Sequence, residues 1–465
     1  MSIPQPLHQI ILNLLGPGAT GKVTMTPAFP LPDLPVIIQQ LAGILPLTAL
    51  VEFIDLPSKL HGFHLTGRVP LWNWPITPAG ARLLTRTHEN VDACCLDSFD
   101  RSTTLHCIDG RFGDLYPSST PTTTRLWLGA MKTYLKIPNL SPRMQQDNIR
   151  RQRLEVVLFQ NSNNTAATTQ PAAAVDGSLA SSWPAALRRV TNWRPLPYTI
   201  LSLTGWVLWA SAVAIALATQ LYLAAAYLLL LPLSGLTVKY AHGGEPRGLL
   251  DNRPSPNSRV VIATNSLNAS DWRLFYGASP TVNSILNKPL NRAGAPPSRY
   301  AVFVLQGLIL GQWALAVATC AFQDWNAIFV SIWLAFCSLS SAYLYPAQQG
   351  VRDWLELDCG VKARKVTAEF SSRRSMLAAI VYLNPDSKTN GLSWINPILA
   401  PCDERTQWER ALLQYIDDGS FAIEEKREYW HDFIEEGVEM GRKIESVIKE
   451  LQTIHGQVDI KTYHV

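Results

Sequence analysis

"PYTILSLTGWVLWASAVAIALATQLYLAAAYLLLLPLSGLTVK", residues 197–239, decides how this chain is read. The 44 residues between Arg194 and Lys239 carry no charged side chain. A membrane-crossing helix needs about 20 apolar residues, so the run is too long for one crossing and fits two. Thr219 and Gln220 form the polar break, with one helix near 197–218 and a second near 221–239. Two later runs repeat the pattern. Between Arg299 and Asp324 stand 24 uncharged residues, "YAVFVLQGLILGQWALAVATCAFQ", and between Asp324 and Arg352 stand 27, including "WNAIFVSIWLAFCSLSSAYLYPA". The expected fold is a multi-pass α-helical membrane protein: four transmembrane helices in two hairpins, with mixed α+β cytosolic regions.

Composition supports this. The 465 residues are 47% hydrophobic and 16% charged, against about 25% charged for an average soluble domain. The net charge of +4 and the absence of a basic tail point away from nucleic acid, and the bilayer is the expected partner. Seven scattered cysteines do not form a disulfide framework. "MSIPQPLHQ" lacks the basic region of a signal peptide.

Basic residues set the orientation. Arg188, Arg189 and Arg194 precede the first span, and Lys239, Arg247 and Arg253 follow the second. Lys288, Arg292 and Arg299 precede the third, and Arg352, Lys362, Arg364 and Lys365 follow the fourth. Neither hairpin turn holds a basic residue. Both termini and the central loop are therefore expected in the cytoplasm, with endoplasmic reticulum and plasma membrane left open. The sequons at Asn139, Asn163 and Asn268 would be glycosylated only if this topology were inverted.

The chain divides into a Pro-rich N-terminal cytosolic region (1–160), a low-complexity linker (161–187), hairpin one (188–241), a cytosolic loop (242–298), hairpin two (299–347) and a C-terminal cytosolic region (348–465). "LHGFHLTGRVPLWNW" (60–74), "LEVVLFQ" (154–160), "RVVIATNSL" (259–267) and "VKARKVTAEF" (361–370) have strand composition. "SSRRSMLAAIVYLNP" (371–385) reads as a Ser-capped helix. "PVIIQQLAGILPLTALVEFI" (35–54) carries Gln39, Gln40, Pro46 and Glu52, polar groups that are costly in hydrocarbon. It reads as a buried or interfacial helix pair.

An amphipathic helix is expected over 420–455. Trp430, Gly437, Ile444 and Leu451 recur every seven residues, with Phe433, Met440, Val447 and Ile454 three places later. Between 424 and 450 there are nine acidic residues against five basic ones. A helix that binds anionic lipid would be basic, so this one is expected to pack on its own domain and to offer a weak homodimer or protein-partner contact.

Motifs of chemical meaning are sparse. "GPGATGKVT" (16–24) approaches a phosphate loop, but Val23 replaces the metal-binding hydroxyl and prolines follow where a helix must start, so no nucleotide is expected. "HENVDACCLDSFDRSTTLHCIDGRFGD" (88–114) supplies the catalytic candidates Asp97, Asp100, His106 and Cys107. Adjacent Cys94 and Cys95 diverge and do not make a zinc pair, and His61 and His64 would face opposite ways on a strand, so neither metal nor cofactor is expected. The spans hold no Asp, Glu, Lys or Arg, which argues against ion-coupled transport and leaves Gln306 and Gln312 as polar groups. Gly307 and Gly311, with Ala210, Ala214 and Ala218, form small-residue stripes for close helix approach. The basic cluster Lys362, Arg364, Lys365, Arg373 and Arg374 suits anionic headgroups.

"DCGVKARKVTAEFSSRRSMLAAIVYLNP" (358–385) and "WINPILAPCDERTQWERALL" (394–413) resemble uncharacterised multi-pass membrane proteins of filamentous fungi, over about the last two-thirds of the chain. The resemblance carries no catalytic motif. It implies an association with secondary-metabolite pathways. The functional expectation is a non-enzymatic membrane scaffold or anchor with cytosolic partner-binding regions. The alternatives are a membrane-bound accessory enzyme and a small-molecule exporter.

Overall fold

The computed structural model describes residues 31–52, 55–68, 70–85, 94–99, 104–145, 149–161, 196–242, 245–250, 252–253, 255, 257–291, 299–421 and 428–461. The phosphate-loop-like stretch, Asp100 and Asn163 lie outside them.

Among the described residues the first elements are the helices α1 (Val36–Ala42), α2 (Leu45–Glu52), α3 (Leu56–Thr66), α4 (Pro78–Thr85) and α5 (Cys95–Phe99). Then come β1 (His106–Asp109), β2 (Leu115–Pro117), α6 (Pro121–Ala130), β3 (Thr133–Ile137) and β4 (Gln152–Asn161). The first hairpin is α7 (Leu196–Ala218) and α8 (Tyr222–His242). It is followed by β5 (Ser258–Thr264), β6 (Asp271–Ala278) and α9 (Ser279–Leu286). The second hairpin is α10 (Arg299–Phe322) and α11 (Trp325–Leu339), with α12 (Ala347–Asp353) after it. β7 (Val361–Phe370), α13 (Arg373–Leu383), α14 (Ser387–Asn390), α15 (Asp403–Asp418) and α16 (His431–Lys461) complete the chain.

The strands form one seven-stranded sheet in the order β2-β1-β5-β6-β4-β7-β3. β4 runs parallel to β6, β3 runs parallel to β7, and the other neighbours are antiparallel. The stretch before the first hairpin, the loop between hairpins and the stretch after the second all contribute. The three soluble regions read separately from sequence are therefore one folded unit. Successive side chains on a strand alternate faces. Leu154, Val156 and Leu158 enter a core with Leu274, Val366, α13 and α16, while Val157 and Phe159 enter another with Phe275 and Trp127 of α6. Burial on both faces explains why "EVVLF" and "VVIA" are continuous apolar runs rather than alternating ones.

Four helices are long and apolar enough to cross a membrane, over Tyr198–Ala218, Tyr222–Ala241, Tyr300–Phe322 and Trp325–Leu344. The hairpin turns place Gln220 (φ 63°) and Gln323 (φ 52°) in the left-handed region. At these turns Asn326 Oδ1 accepts from Ala224 N at 3.1 Å and ties the two hairpins together. Outward residues such as Leu203, Val207, Phe303 and Leu310 are exposed, as a lipid-facing surface requires.

Several expectations change. The stretch 60–74 is not a strand. Asp55 caps α3 by accepting from Ser58 N, Leu56, Leu60 and Phe63 are all buried, and Gly67 ends the helix at φ 61°. Residues 71–77 then enter the bundle as irregular chain. Trp72 lies against Gly205 of α7, Trp74 against Gly235 of α8, and both indoles are fully buried. Non-helical backbone at this depth needs internal hydrogen bonds. Gln312 supplies them: its Oε1 accepts from Ile76 N at 2.9 Å, and its Nε2 donates to Trp74 O and Ser234 Oγ.

The small-residue stripes also pack differently. Ala210 and Ala214 are exposed, Ala218 is half-buried, and Gly307 has nothing within 4 Å of its would-be Cβ. α10 packs on α8 rather than α7, with Gly311 facing Leu230 at 3.3 Å. The alanines of α7 that turn inward are Ala212 and Ala216.

The C-terminal helix begins at His431, later than expected, because Gly419 (φ 72°) terminates α15 first. Its heptad seam is covered by α13. Trp430, Met440, Ile444 and Leu451 are buried, and a Cβ at Gly437 would stand 2.3 Å from Ser375 O. Gly437 is therefore the point of closest approach, where a side chain would force the helices apart.

Candidate functional site

A cavity of about 730 Å³ opens where the bundle meets the sheet domain. Its walls come from far-apart segments: Ser58 and Lys59 on α3, Tyr198 and Leu201 at the start of α7, and Ser341 and Tyr345 after α11. Gln348, Asp353 and Glu356 close it from the connection to β7.

That connection explains the shape. α12 is flanked by two π-helical turns, Ser340–Leu344 and Trp354–Asp358. A π turn inserts one extra residue and widens the helix locally, and such turns recur at functional sites. Both face the cavity here, the first with Ser341, Ala342 and Leu344, the second with Glu356 and Leu357.

The polar groups are held in place. Lys59 Nζ donates to Asn73 O and sits 4.8 Å from the Trp74 ring centroid, a cation–π contact. Asn73 Nδ2 donates to Cys337 O at 3.1 Å and Ser340 Oγ at 2.7 Å, binding the inserted loop to the end of α11. Arg68 pairs with Asp358 at 2.5 Å, and Arg352 with Glu356 at 3.0 Å. Burial pushes the Asp358 carboxyl above its ordinary value, partly opposed by Arg68. Burial and then neighbouring Glu356 push Asp353 up. Charged and apolar side chains thus both line the cavity, a combination that fits an amphiphilic molecule.

Of the catalytic candidates from sequence, the described ones, Asp97, His106 and Cys107, do not line this cavity. Asp97 anchors the start of α6: Oδ1 accepts from Thr122 N (2.7 Å) and Thr123 N (3.2 Å), and Oδ2 accepts from Thr123 Oγ1 (2.6 Å). His61 Nε2 lies 3.0 Å from Thr123 Oγ1, and Nδ1 accepts from Leu96 N at 3.3 Å. His61, Cys94 and Asp97 bring their ligand atoms within 4.8 Å of one another. Both ring nitrogens are already committed, and burial pushes the Cys94 thiol up to about 12, so the donor set suits a hydrogen-bonded tie better than a cation. β1 alternation separates the other two. His106 is half-buried near Thr104, while Cys107 is fully buried and pushed up to about 12 by burial.

The basic cluster is dispersed as well. Lys365 is buried and donates to Leu128 O at 3.2 Å, Arg364 lies over Tyr134, Arg373 over Trp272 and Arg374 over Tyr429. Asn139 is used structurally, donating to Glu369 O and Glu436 Oε1, while Asn268 is exposed in the β5–β6 turn. Lys59, Asn73 and Asp353 escaped the sequence reading. The available signal was Asp55 as a cap ahead of "LPSKLHGFHLT", which marks a helix carrying Lys59 inward. Comparison with protein-family models, curated proteins and solved structures gave no match, so the site's chemistry is the only guide to what it holds.

Proposed function

We propose that this membrane protein takes an amphiphile from the bilayer into the cavity between its bundle and its sheet domain. The cavity is the observation that carries this reading. It lies at the end of the apolar helices, beside Tyr198 and Leu201 at the start of α7, and pairs that apolar wall with Lys59, Asp353 and Glu356. Its volume falls within the range of about 300–1,000 Å³ usual for small-molecule sites. The composite sheet supports the same reading. An anchor needs only a tether, whereas here three stretches are stitched into one sheet seated on the bundle. The scaffold or anchor expected from sequence drew on the missing catalytic set and on the heptad seam, and that seam is covered by α13.

Topology belongs to the proposal. The sheet side is taken as cytoplasmic because Lys239, Arg247, Lys288 and Arg352 all flank the helices there. Segment 36–66 is taken as a fifth, broken crossing. At the turn end, Trp325 Nε1 donates to Pro32 O at 2.7 Å, and Gly43 lies beside Gln323. At the sheet end of the same segment, Gly62 meets Ala347, and Arg247 N donates to Leu65 O at 2.9 Å. The 8 residues of α2 and the 11 of α3 together rise about 28 Å as helix, close to a hydrocarbon core of about 30 Å. The N-terminus would then face the compartment opposite the C-terminus, rather than both facing the cytoplasm.

The test is photolabelling of the detergent-solubilised protein with a diazirine-bearing C16 fatty acid. Label should concentrate on peptides containing Tyr198–Leu201 and Ser341–Tyr345. Ser341→Trp should remove it while the thermal transition stays within a few degrees. Label spread evenly along α7 and α10 and unchanged by Ser341→Trp would sink the idea.

A further inference from the structure

We propose a second binding site, for a phosphate group carried by a soluble molecule, at the end of the sheet domain remote from the membrane helices. A cleft of about 490 Å³ lies there, lined by Arg143, Arg150, Gln152, Ser372, Arg373 and Phe433.

The charges in this cleft are unbalanced. Arg143 is neutralised by Asp432 and lies 4.2 Å from the Phe433 ring centroid. Arg150 and Arg373 meet no carboxylate among the described residues. Arg150 donates to Ser270 Oγ at 3.0 Å and to Asn268 O, both neutral acceptors. Arg373 lies over the Trp272 ring at 5.8 Å. Both line the same cleft, and burial and then the repulsion of Arg150 lower the affinity of Arg373 for its proton. The nearest buried carboxylate, Glu436, is already engaged. Its oxygens accept from Ser371 N, Asn139 Nδ2 and the Ser371 and Ser375 hydroxyls.

One further feature suits an oxyanion. Ser372 caps α13, whose first N–H groups at Arg373 and Arg374 have no intrahelical acceptor. Paired guanidinium forks match the oxygens of a phosphate, and two of them leave a cleft of this size room for the molecule that carries it.

Position selects a soluble ligand over a lipid headgroup. β4 pairs with β7 so that Asn161 meets Val361 at the bundle end and Gln152 meets Phe370 at the cleft end. Ten residues of strand separate those ends, about 33 Å at about 3.3 Å per residue.

The test uses the full-length protein in phosphatidylcholine nanodiscs. Inorganic phosphate at millimolar concentration should raise the thermal midpoint by about 2 °C or more over chloride at matched ionic strength. Arg150→Gln with Arg373→Gln should abolish that rise and weaken phosphate binding about tenfold or more. Without phosphate, the double variant should melt no lower than the parent, because a repulsion has been removed. Lys362→Gln, at the opposite end of β7, should keep the full response. A full phosphate response in the double variant, or an equal response to chloride, would overturn the site. Repeating the titration in nanodiscs containing phosphatidylinositol 4-phosphate should give the same phosphate affinity. If the lipid competes phosphate away, the ligand is a headgroup and the soluble assignment fails.

Discussion

The sheet domain and the helix bundle solve opposite problems. In the sheet, both faces are covered: Val156 points into one core and Val157 into the other, and both are fully buried. In the bundle, one face of most helices stays apolar and open. Leu203 and Val207 of α7 are 61% and 65% exposed. The sheet therefore specifies its own surroundings, whereas the bundle leaves an apolar outer surface uncovered. Specificity inside the bundle comes from a wedge. The Trp72–Trp74 loop fills the space between α7 and α8, and Gly205 and Gly235 receive it.

The sharpest test of this contrast is a charge in the sheet centre. Val156→Asp places an unpaired carboxylate between β6 and β7, at a cost of about 4 kcal/mol or more. No monodisperse protein should elute in detergent. If it does, the strands are not one cooperative unit.

Second in size is a pair of glycine substitutions in the bundle. Gly235→Val would bring a methyl-bearing carbon to 2.4 Å from Leu71 O and should abolish folding. Gly307→Val has nothing within 4 Å and should change the thermal midpoint by about 2 °C or less. Equal damage from both would mean that α10 has a close neighbour on its outer face.

Gln312→Leu comes third. It strands Ile76 N–H and Trp74 C=O, for a loss of about 2–4 kcal/mol. Faster proteolysis within residues 70–77, with α7 and α8 still protected, is the expected pattern.

The smallest effect concerns Asp353. Its folded-state pKa is raised by burial, so the ionised form is disfavoured on folding. Stability is then highest below the ordinary carboxylate range and falls as pH rises toward the raised folded value. Asp353→Asn removes that loss. It should raise the midpoint slightly at pH 7 and leave it unchanged at pH 3. A gain at pH 3 as well would trace the effect to packing instead.

Sequence patterns revealed the parts whose signal is local. Charge-free runs gave the four long helices, and "LEVVLFQ", "VKARKVTAEF" and the Ser372 cap gave β4, β7 and α13. α3 was misread because His61, Phe63 and Leu65 imitate alternation, although Leu56, Leu60 and Phe63 carry the helical spacing. The cavity was illegible for a different reason. Its walls are drawn from residues 55–68, 198–201 and 338–357, and π turns have no compositional mark. Asp97 attracted attention for its chemistry and proved to be a brace for α6.

The interleaved sheet also sets an order of events during synthesis. β4 lies between β6 and β7, so its two edges stay unpaired until both later strands exist. At about 5–20 residues per second, the roughly 200 residues from β4 to β7 take about 10–40 s to emerge. Throughout that interval an apolar ten-residue strand is open to other chains. Closure must also wait for both hairpins to be synthesised, because β6 lies beyond the first and β7 beyond the second. A completed sheet thus reports that both hairpins have been made, and a chain stalled before the second hairpin would present the quality-control machinery with an unfinished strand edge.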